Sequence, residues 1–354
     1  MTAGEFTRAR ETFNTDVVHL SRDEAHALAS AALATIVLEP EHAGIIADHL
    51  VDAELCGYPF AGLSRVITVA RGMARRPPPV PVRVVHEAPV SAVVDGGGNC
   101  GYVAVFQGME LARRKATEQG FAIVTVNNTY FSGRGAYYVE RLAEAGLVGI
   151  HVAAAHPTVA PYGGRTPMLG TNPIALAVPG ADGPLVFDMG TSVLMHGEIE
   201  LAERTGAVLP PGGAIDAAGQ PTTDPAAALD GAILPFGGYK GYGLALLIQA
   251  FGLLSRSQEC RGQVNDFGFV HLAFAPGLTI EPDEFRQQVS RLVDEVRGTP
   301  PLGAGPVRIP GERSRHSRER ALREGIDVDR AIVAGLEEMC RTGRPAPASA
   351  DGSE

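Results

Sequence analysis

The chain has no tryptophan, four cysteines and only 6% aromatic residues among its 354 positions. Cys56, Cys100, Cys260 and Cys340 are scattered without a C-x-x-C pair, which excludes a disulfide framework and a thiolate zinc site and reads as reduced thiols. No His, Cys, Asp and Glu grouping has ligand spacing, so no metal is expected. The longest apolar run, near Leu244 to Leu254, is broken by Gln249 and Gly252. It is too short and too interrupted for a membrane span. Residues 1 to 18 lack the apolar core of a signal peptide, and a cytoplasmic protein is expected. Basic residues are also in deficit, 30 against 40 acidic ones. The net charge of -10 argues against nucleic acid as the partner, because binding phosphates needs a basic surface.

What the chain has in abundance is glycine (43) and proline (26) within a 45% hydrophobic composition, which suits a loop-rich globular enzyme of about two domains. Its most informative stretch is Leu169 to Ser192, LGTNPIALAVPGADGPLVFDMGTS. Two strand-like runs, Pro173 to Val178 and Leu185 to Phe187, flank a Pro-Gly-Ala-Asp-Gly turn and abut hydroxyl, amide and carboxylate residues. Strand ends of that kind present polar groups to a ligand.

Around this stretch the pattern predicts mixed helices and strands. Ser21 and Glu24 form a capping box ahead of a helix, and Glu39-Pro40 restarts a second helix that ends in the loop Gly57 to Gly62. Arg71 to Pro81 reads as a basic, proline-rich connector. The cluster Gly96 to Gly101 lacks G-x-G-x-x-G spacing and reads as a turn rather than a Rossmann phosphate loop. It precedes a helix from Val103 to Thr117. Phe121 to Val126 is a strand that delivers Asn127 to Tyr130 to its end, Ala136 to Ala145 a helix, and Leu147 to Val152 another strand. Gly206 to Pro225 reads as irregular. Leu234-Pro-Phe-Gly-Gly-Tyr-Lys-Gly-Tyr-Gly243 opens an apolar helix with Lys240 near its first turn, where glycines let a backbone approach an anion. Ile280 to Val296 and Asp327 to Met339 are expected helices. The basic run from Gly311 to Arg320 is either a solvated helix face or an edge of a nucleotide site with Arg313 or Arg315 near a phosphate. Four segments follow: 1–80 helical, 81–275 central, 276–341 helical, and a disordered tail at 342–354.

Five motifs in one order, GG-x-x-x-x-LGTNP (Gly163 to Pro173), DM-x-TS (Asp188 to Ser192), G-x-PTTDP (Gly219 to Pro225), P-x-GG-YKGYGLAL (Pro235 to Leu246) and PGE (Pro310 to Glu312), together resemble the malate/L-lactate dehydrogenase type 2 family. That resemblance implies an α/β, non-Rossmann, L-sulfolactate dehydrogenase-like fold with mixed sheets and terminal helical segments packed together, usually as a homodimer. It implies NADPH or NADH as cofactor and a small-molecule substrate. The cofactor would meet Phe187, Asp188, Met189, Gly190 and Thr191, then Tyr239 and Lys240, then Pro310, Gly311 and Glu312. The substrate pocket would include Cys56, Phe60, Ala61, Arg65, Thr171 and Asn172.

The catalytic half departs from the family pattern. Cys56 stands where an arginine is usual and Ala61 where a histidine is usual, and Tyr130 takes the place of a second histidine. Reducing a ketone creates an alkoxide that needs a proton donor, commonly worth about 10²–10⁴-fold in rate. Hydride addition to an iminium gives a neutral amine without one. The sequence therefore favours an imine over a carbonyl substrate, with Tyr130, Asp188 and His156 as catalytic candidates. A structural or surface role is the plain reading of His151, His156 and His196, and His156 is the candidate substitute among them. A non-redox isomerase or cyclase, or a non-catalytic protein on the same scaffold, are the alternatives.

Overall fold

The computed structural model describes residues 16–37, 39–257 and 267–344, so Cys260 and the segment 345–354 lie outside the described residues. In chain order, β1 (Val17–Leu20) is followed by α1 (Arg22–Ala34), α2 (Pro40–Leu55), α3 (Ser64–Ala74), β2 (Arg83–Ala88), β3 (Ser91–Asp95) and α4 (Gly101–Gln119). Then come β4 (Phe121–Asn127), α5 (Ala136–Glu144), β5 (Val148–Ala154), β6 (Ile174–Val178), β7 (Leu185–Met189), α6 (His196–Thr205), β8 (Ala214–Ile215) and β9 (Pro221–Thr222). The chain continues through α7 (Pro225–Asp230), β10 (Ala232–Ile233), α8 (Tyr239–Leu253), β11 (Gly268–Phe274), α9 (Pro282–Arg297), α10 (Glu312–Glu324), β12 (Ile326–Asp329) and α11 (Arg330–Thr342). It divides into two compact units, Met1–Pro78 with His316–Glu354, and Pro79–Arg315.

The first unit joins the two ends of the chain. Ser21 and Glu24 form the capping box of α1, and Pro40 begins α2, where its missing N–H costs nothing. The buried stripe Ala25, Ala29, Ala32 and Leu33 packs α1 against α2, and α11 closes over α1 and α3. β1 pairs antiparallel with β12, Val17 opposite Asp329. Two sequence expectations change here. Ser64–Ala74 is a helix whose buried Val66, Val69 and Ala70 recur at helical spacing, so the connector is shorter than its arginines suggest. The last helix starts at Arg330 rather than Asp327, because Ile326–Asp329 is a strand and Asp329 caps the helix at the Ala331 N–H.

The second unit is built on a seven-stranded sheet, order β2-β3-β4-β11-β5-β6-β7, in which only β3 and β4 run parallel. Helices α4, α5 and α8 pack against it. β4, β11 and β5 occupy its middle and are largely apolar apart from Thr125, His151 and His271, and β2 lies at an open edge with most of its side chains exposed. Neither β2, β3, β11 nor α6 is evident from the sequence pattern. The glycine cluster is confirmed as a structural turn: Gly96 and Gly98 donate to the Asn127 and Asn128 carbonyls, and Gly101 to that of Tyr130. It zips the start of α4 along the loop that follows β4.

Candidate active site

Three separated motifs converge on β7. Thr191 is fully buried, with its N–H and hydroxyl both donating to the Thr171 carbonyl at 2.9 and 3.1 Å. Its own carbonyl accepts from the Phe236 N–H at 3.1 Å, and the Val193 N–H reaches the Leu234 carbonyl at 2.9 Å. A Cβ on Gly241 would run into the Phe236 and Thr191 carbonyl oxygens, so glycine is needed for α8 to start this close to the DMGTS segment. Pro310–Glu312 packs against the strand itself. Gly311 has φ +83°, and a Cβ there would lie 2.9 Å from the Val186 carbonyl oxygen in β7.

The groups exposed at this convergence fit a dinucleotide. Phe187 is 44% and Tyr239 66% exposed. Gly237 and Gly238 hold φ of +55° and +61° just ahead of Lys240, leaving a cradle that side chains would fill, with the Tyr162 ring packed over Gly238. The sequence has two lysines. Lys115 is committed to the Ala88 carbonyl and Glu87, both at 2.8 Å, while Lys240 is exposed in the first turn of α8. An ammonium opposed to the helix dipole at that position is relieved by a bound anion. Glu312 takes a supporting role. Burial opposes its charge, but the Arg297 guanidinium at 2.7 Å, the Ile309 N–H and Arg315 outweigh it and hold the carboxyl below its ordinary range. Arg315 donates to the Asp182 carbonyl in the β6–β7 turn at 3.4 Å.

Asp188 is occupied in a way its sequence position does not reveal. Its Oδ2 accepts from the Ala136 N–H at 2.8 Å and caps α5, a use favoured by the helix dipole. Burial raises its pKa, against the lowering effect of the Ala136 and Gly135 N–H groups and Arg134. Arg134 in turn forms an ion pair with Glu140 at 3.3 Å, their side chains 7% and 11% exposed. Gly135 must be glycine, since a Cβ would sit within 3.4 Å of Ala175, Asp188 and His151 at once.

Tyr130 is buried, edge-on to Phe131 with ring centroids 5.6 Å apart. It is bracketed by two left-handed residues, Asn128 (φ +49°) and Phe131 (φ +56°). Strain of this kind is held by the hydrogen bonds from the glycine cluster and concentrates at functional sites. Asn172 is wholly buried at φ +28°, its amide donating to the Ala245 carbonyl and Gln249 and accepting from the Ala155 N–H. Its side chain thus clamps loop, sheet and helix together. Thr171 beside it is buried, its carbonyl engaged by Thr191. His156 is half-buried, with no hydrogen-bond partner for its buried Nδ1.

Cys56, Phe60, Ala61 and Arg65 belong to the first unit. Cys56 is buried at the end of α2, with its thiol 3.9 Å from Asp52, which pairs with Arg318 at 2.9 Å. The loop beyond it forms a tight 3₁₀ turn, Pro59–Ala61, with Phe60 edge-on to Tyr58, and Arg65 donates to the Phe60 carbonyl at 2.9 Å. Glu54 organises this turn from behind. Its carboxylate accepts from the Leu63 N–H at 2.9 Å and lies against Gly62, where a Cβ would collide with it. Burial pushes its pKa up to about 7. Sequence pattern gives Glu54 no distinction from Asp48 and Asp52 on the same helix, because the backbone that encloses it comes from the turn. Among the described residues no helix is long and apolar enough to cross a membrane.

Comparison with known proteins agrees with this architecture. Residues 20–337 match the family model for malate/L-lactate dehydrogenase. The chain is 35% identical to the L-sulfolactate dehydrogenase of Methanocaldococcus jannaschii, over 85% of its own length and 90% of the relative's. It is 36% identical to a Delta(1)-pyrroline-2-carboxylate reductase of Ancylobacter novellus, over 91% and 97%. The solved delta1-piperideine-2-carboxylate reductase of Pseudomonas syringae pvar. tomato superposes with a TM-score of 0.80 at 28% identity, covering 91% of this chain and 99% of that one. The chain belongs to the malate/L-lactate dehydrogenase family of NAD(P)-dependent oxidoreductases.

Proposed function

We propose that the protein reduces a small cyclic or acyclic imine with NADPH or NADH, in the cytoplasm and as a homodimer, with carbonyl compounds as poorer substrates. The observation that carries the imine preference is Ala61 and Tyr130, standing where the family resemblance leads one to expect imidazoles. The relatives named as pyrroline- and piperideine-carboxylate reductases support the same reading. The bound nicotinamide supplies the hydride. This chain's residues do the rest. Phe187 to Thr191, Gly237 to Lys240 and Pro310 to Glu312 hold the cofactor, with Lys240 meeting its phosphates. Tyr130, Asp188 and His156 make the polar side of the site, with Asp188 fixing the start of α5 so that the segment beside Tyr130 keeps its strained shape. Thr171 and Asn172 are assigned to the substrate pocket, and the family resemblance gives Cys56, Phe60, Ala61 and Arg65 a substrate-binding role.

Fluorescence titration with NADPH and NADH tests the first half of this reading. Saturable binding by the wild type, weakened about tenfold or more in Lys240→Ala, is expected for a charge-assisted phosphate contact. Absence of binding of either nucleotide at high micromolar protein sinks it. For the second half, Ala61→His and Tyr130→His together should restore reduction of a 2-oxo acid such as pyruvate.

A further inference from the structure

The basic run after Pro310 is anchored to the hairpin that carries β7. Gly311 lies against the Val186 carbonyl, and its own carbonyl accepts the Arg315 N–H at 3.0 Å, so α10 begins from the strand edge. One turn on, the Arg315 guanidinium donates to the Asp182 carbonyl at 3.4 Å, and its Nη1 lies 3.7 Å from where a Cβ on Gly183 would be. The turn is pinned in place by α9: the Ser290 hydroxyl accepts from the Ala181 and Asp182 N–H groups at 2.9 and 3.3 Å. Arg315 therefore has a fixed station at the hairpin end of β7. Lys240 has the corresponding one at the far end, because Gly241 packs on the Thr191 carbonyl. Phe187, 44% exposed, lies on the strand between them.

The charged groups at the Arg315 end differ in their commitments. Glu312 is spent: its Oε1 is 2.7 Å from the Arg297 guanidinium, and its Oε2 accepts from the Ile309 N–H at 3.4 Å. Arg315 is exposed and meets a backbone carbonyl rather than a carboxylate. Rossmann-type sites tell the two cofactors apart at the adenosine ribose, where a carboxylate takes the 2′-hydroxyl of NADH and an arginine accommodates the 2′-phosphate of NADPH. That chemistry does not depend on the fold. Here the carboxylate is occupied and the arginine is available. We propose that Arg315 forms the 2′-phosphate subsite of the cofactor and makes the protein select NADPH over NADH. This deepens the reductase reading above and rests on it. The guanidinium exchanges one weak carbonyl contact for charge-assisted bonds to the phosphate oxygens, its fork matching them as an ammonium cannot. Phe187 offers its ring to the adenosine, and Lys240 keeps the pyrophosphate.

The test uses the full chain and pairs of nucleotides that differ only in that phosphate. Calorimetric titration of the wild type should give NADPH an affinity about tenfold or more above that of NADH, and 2′,5′-ADP the same margin over 5′-AMP. Both margins should narrow as salt is raised, because the contact is exposed. Arg315→Ala should abolish them by weakening NADPH and 2′,5′-ADP while NADH and 5′-AMP bind as before, and Arg315→Lys should keep only part of them. An arginine that merely clamps the turn gives a different pattern, equal losses for NADH and NADPH in Arg315→Ala, and that result overturns the inference. Equal wild-type affinities for the two nucleotides also overturn it and leave the reductase reading standing. If neither nucleotide binds, the reductase reading falls and the inference falls with it.

Discussion

At the scale of single residues, two buried titratable groups make opposite demands on pH. Glu54 is raised from 4.5 to about 7 by burial, with a single N–H to support its charge. A raised carboxyl pKa favours the protonated folded state, so its contribution to stability is complete below pH 4.5 and is lost as pH rises through 7. Glu54→Gln keeps an acceptor for the Leu63 N–H and removes the buried charge. The gain in Tm of this variant over wild type should grow between pH 5 and 8, and a constant difference would show that the carboxylate is not desolvated in the fold. His271 behaves the other way. It is enclosed in the sheet, stacked on His151 with centroids 4.5 Å apart, with Nε2 3.1 Å from the Val105 carbonyl oxygen, and burial lowers it from 6.5 to about 3. Its stabilising effect is present above pH 6.5 and is lost as pH falls towards 3. His271→Leu should flatten the fall of Tm between pH 7 and pH 4.5, read by calorimetry, at a cost of about 1–2 kcal/mol at neutral pH from the lost packing and hydrogen bond.

Among the elements, the clearest dependence is that of β7 on the loops packed beside it. Gly311 combines φ +83° with a 2.9 Å approach to the Val186 carbonyl, so Gly311→Ala must displace Pro310–Glu312 from the strand edge. NADPH affinity should fall at least tenfold, measured by calorimetric titration, with the Tm lowered by a few degrees. An unchanged dissociation constant would remove this segment from the cofactor site. Such dependences are partly legible in the text of the chain. Helices with caps and a clean apolar stripe, such as α1 with Ser21 and Glu24, announce themselves, and so does the β6–β7 hairpin through its Pro-Gly-Ala-Asp-Gly turn. β2 is not legible, because an edge strand with exposed valines carries no alternation, and β12 is not, because four residues are fixed by their partner β1 rather than by local preference. The site divides in the same manner. Gly237 to Lys240 reads as an anion cradle from composition alone. The capping of α5 by Asp188 across 52 positions, and the closure of the turn onto Glu54, arise from tertiary contacts that no local pattern encodes.

At the scale of the whole molecule, the terminal segments share one unit and the central sheet forms the other. The sheet unit carries the motifs proposed above to hold the cofactor, and the proposed change of chemistry rests on Cys56 and Ala61 in the terminal unit and Tyr130 in the sheet unit. Retention of one and change in the other is the central claim: a dinucleotide reductase redirected from keto acids to imines. The measurement that tests it most directly is the steady-state oxidation of NADPH and NADH, followed by nicotinamide absorbance, with Δ1-pyrroline-2-carboxylate and pyruvate compared side by side. The account expects kcat/KM for the imine to exceed that for the keto acid by about tenfold or more, the lower part of what a missing general acid costs. Equal or greater efficiency with pyruvate, or product formed without nicotinamide oxidation, would contradict it.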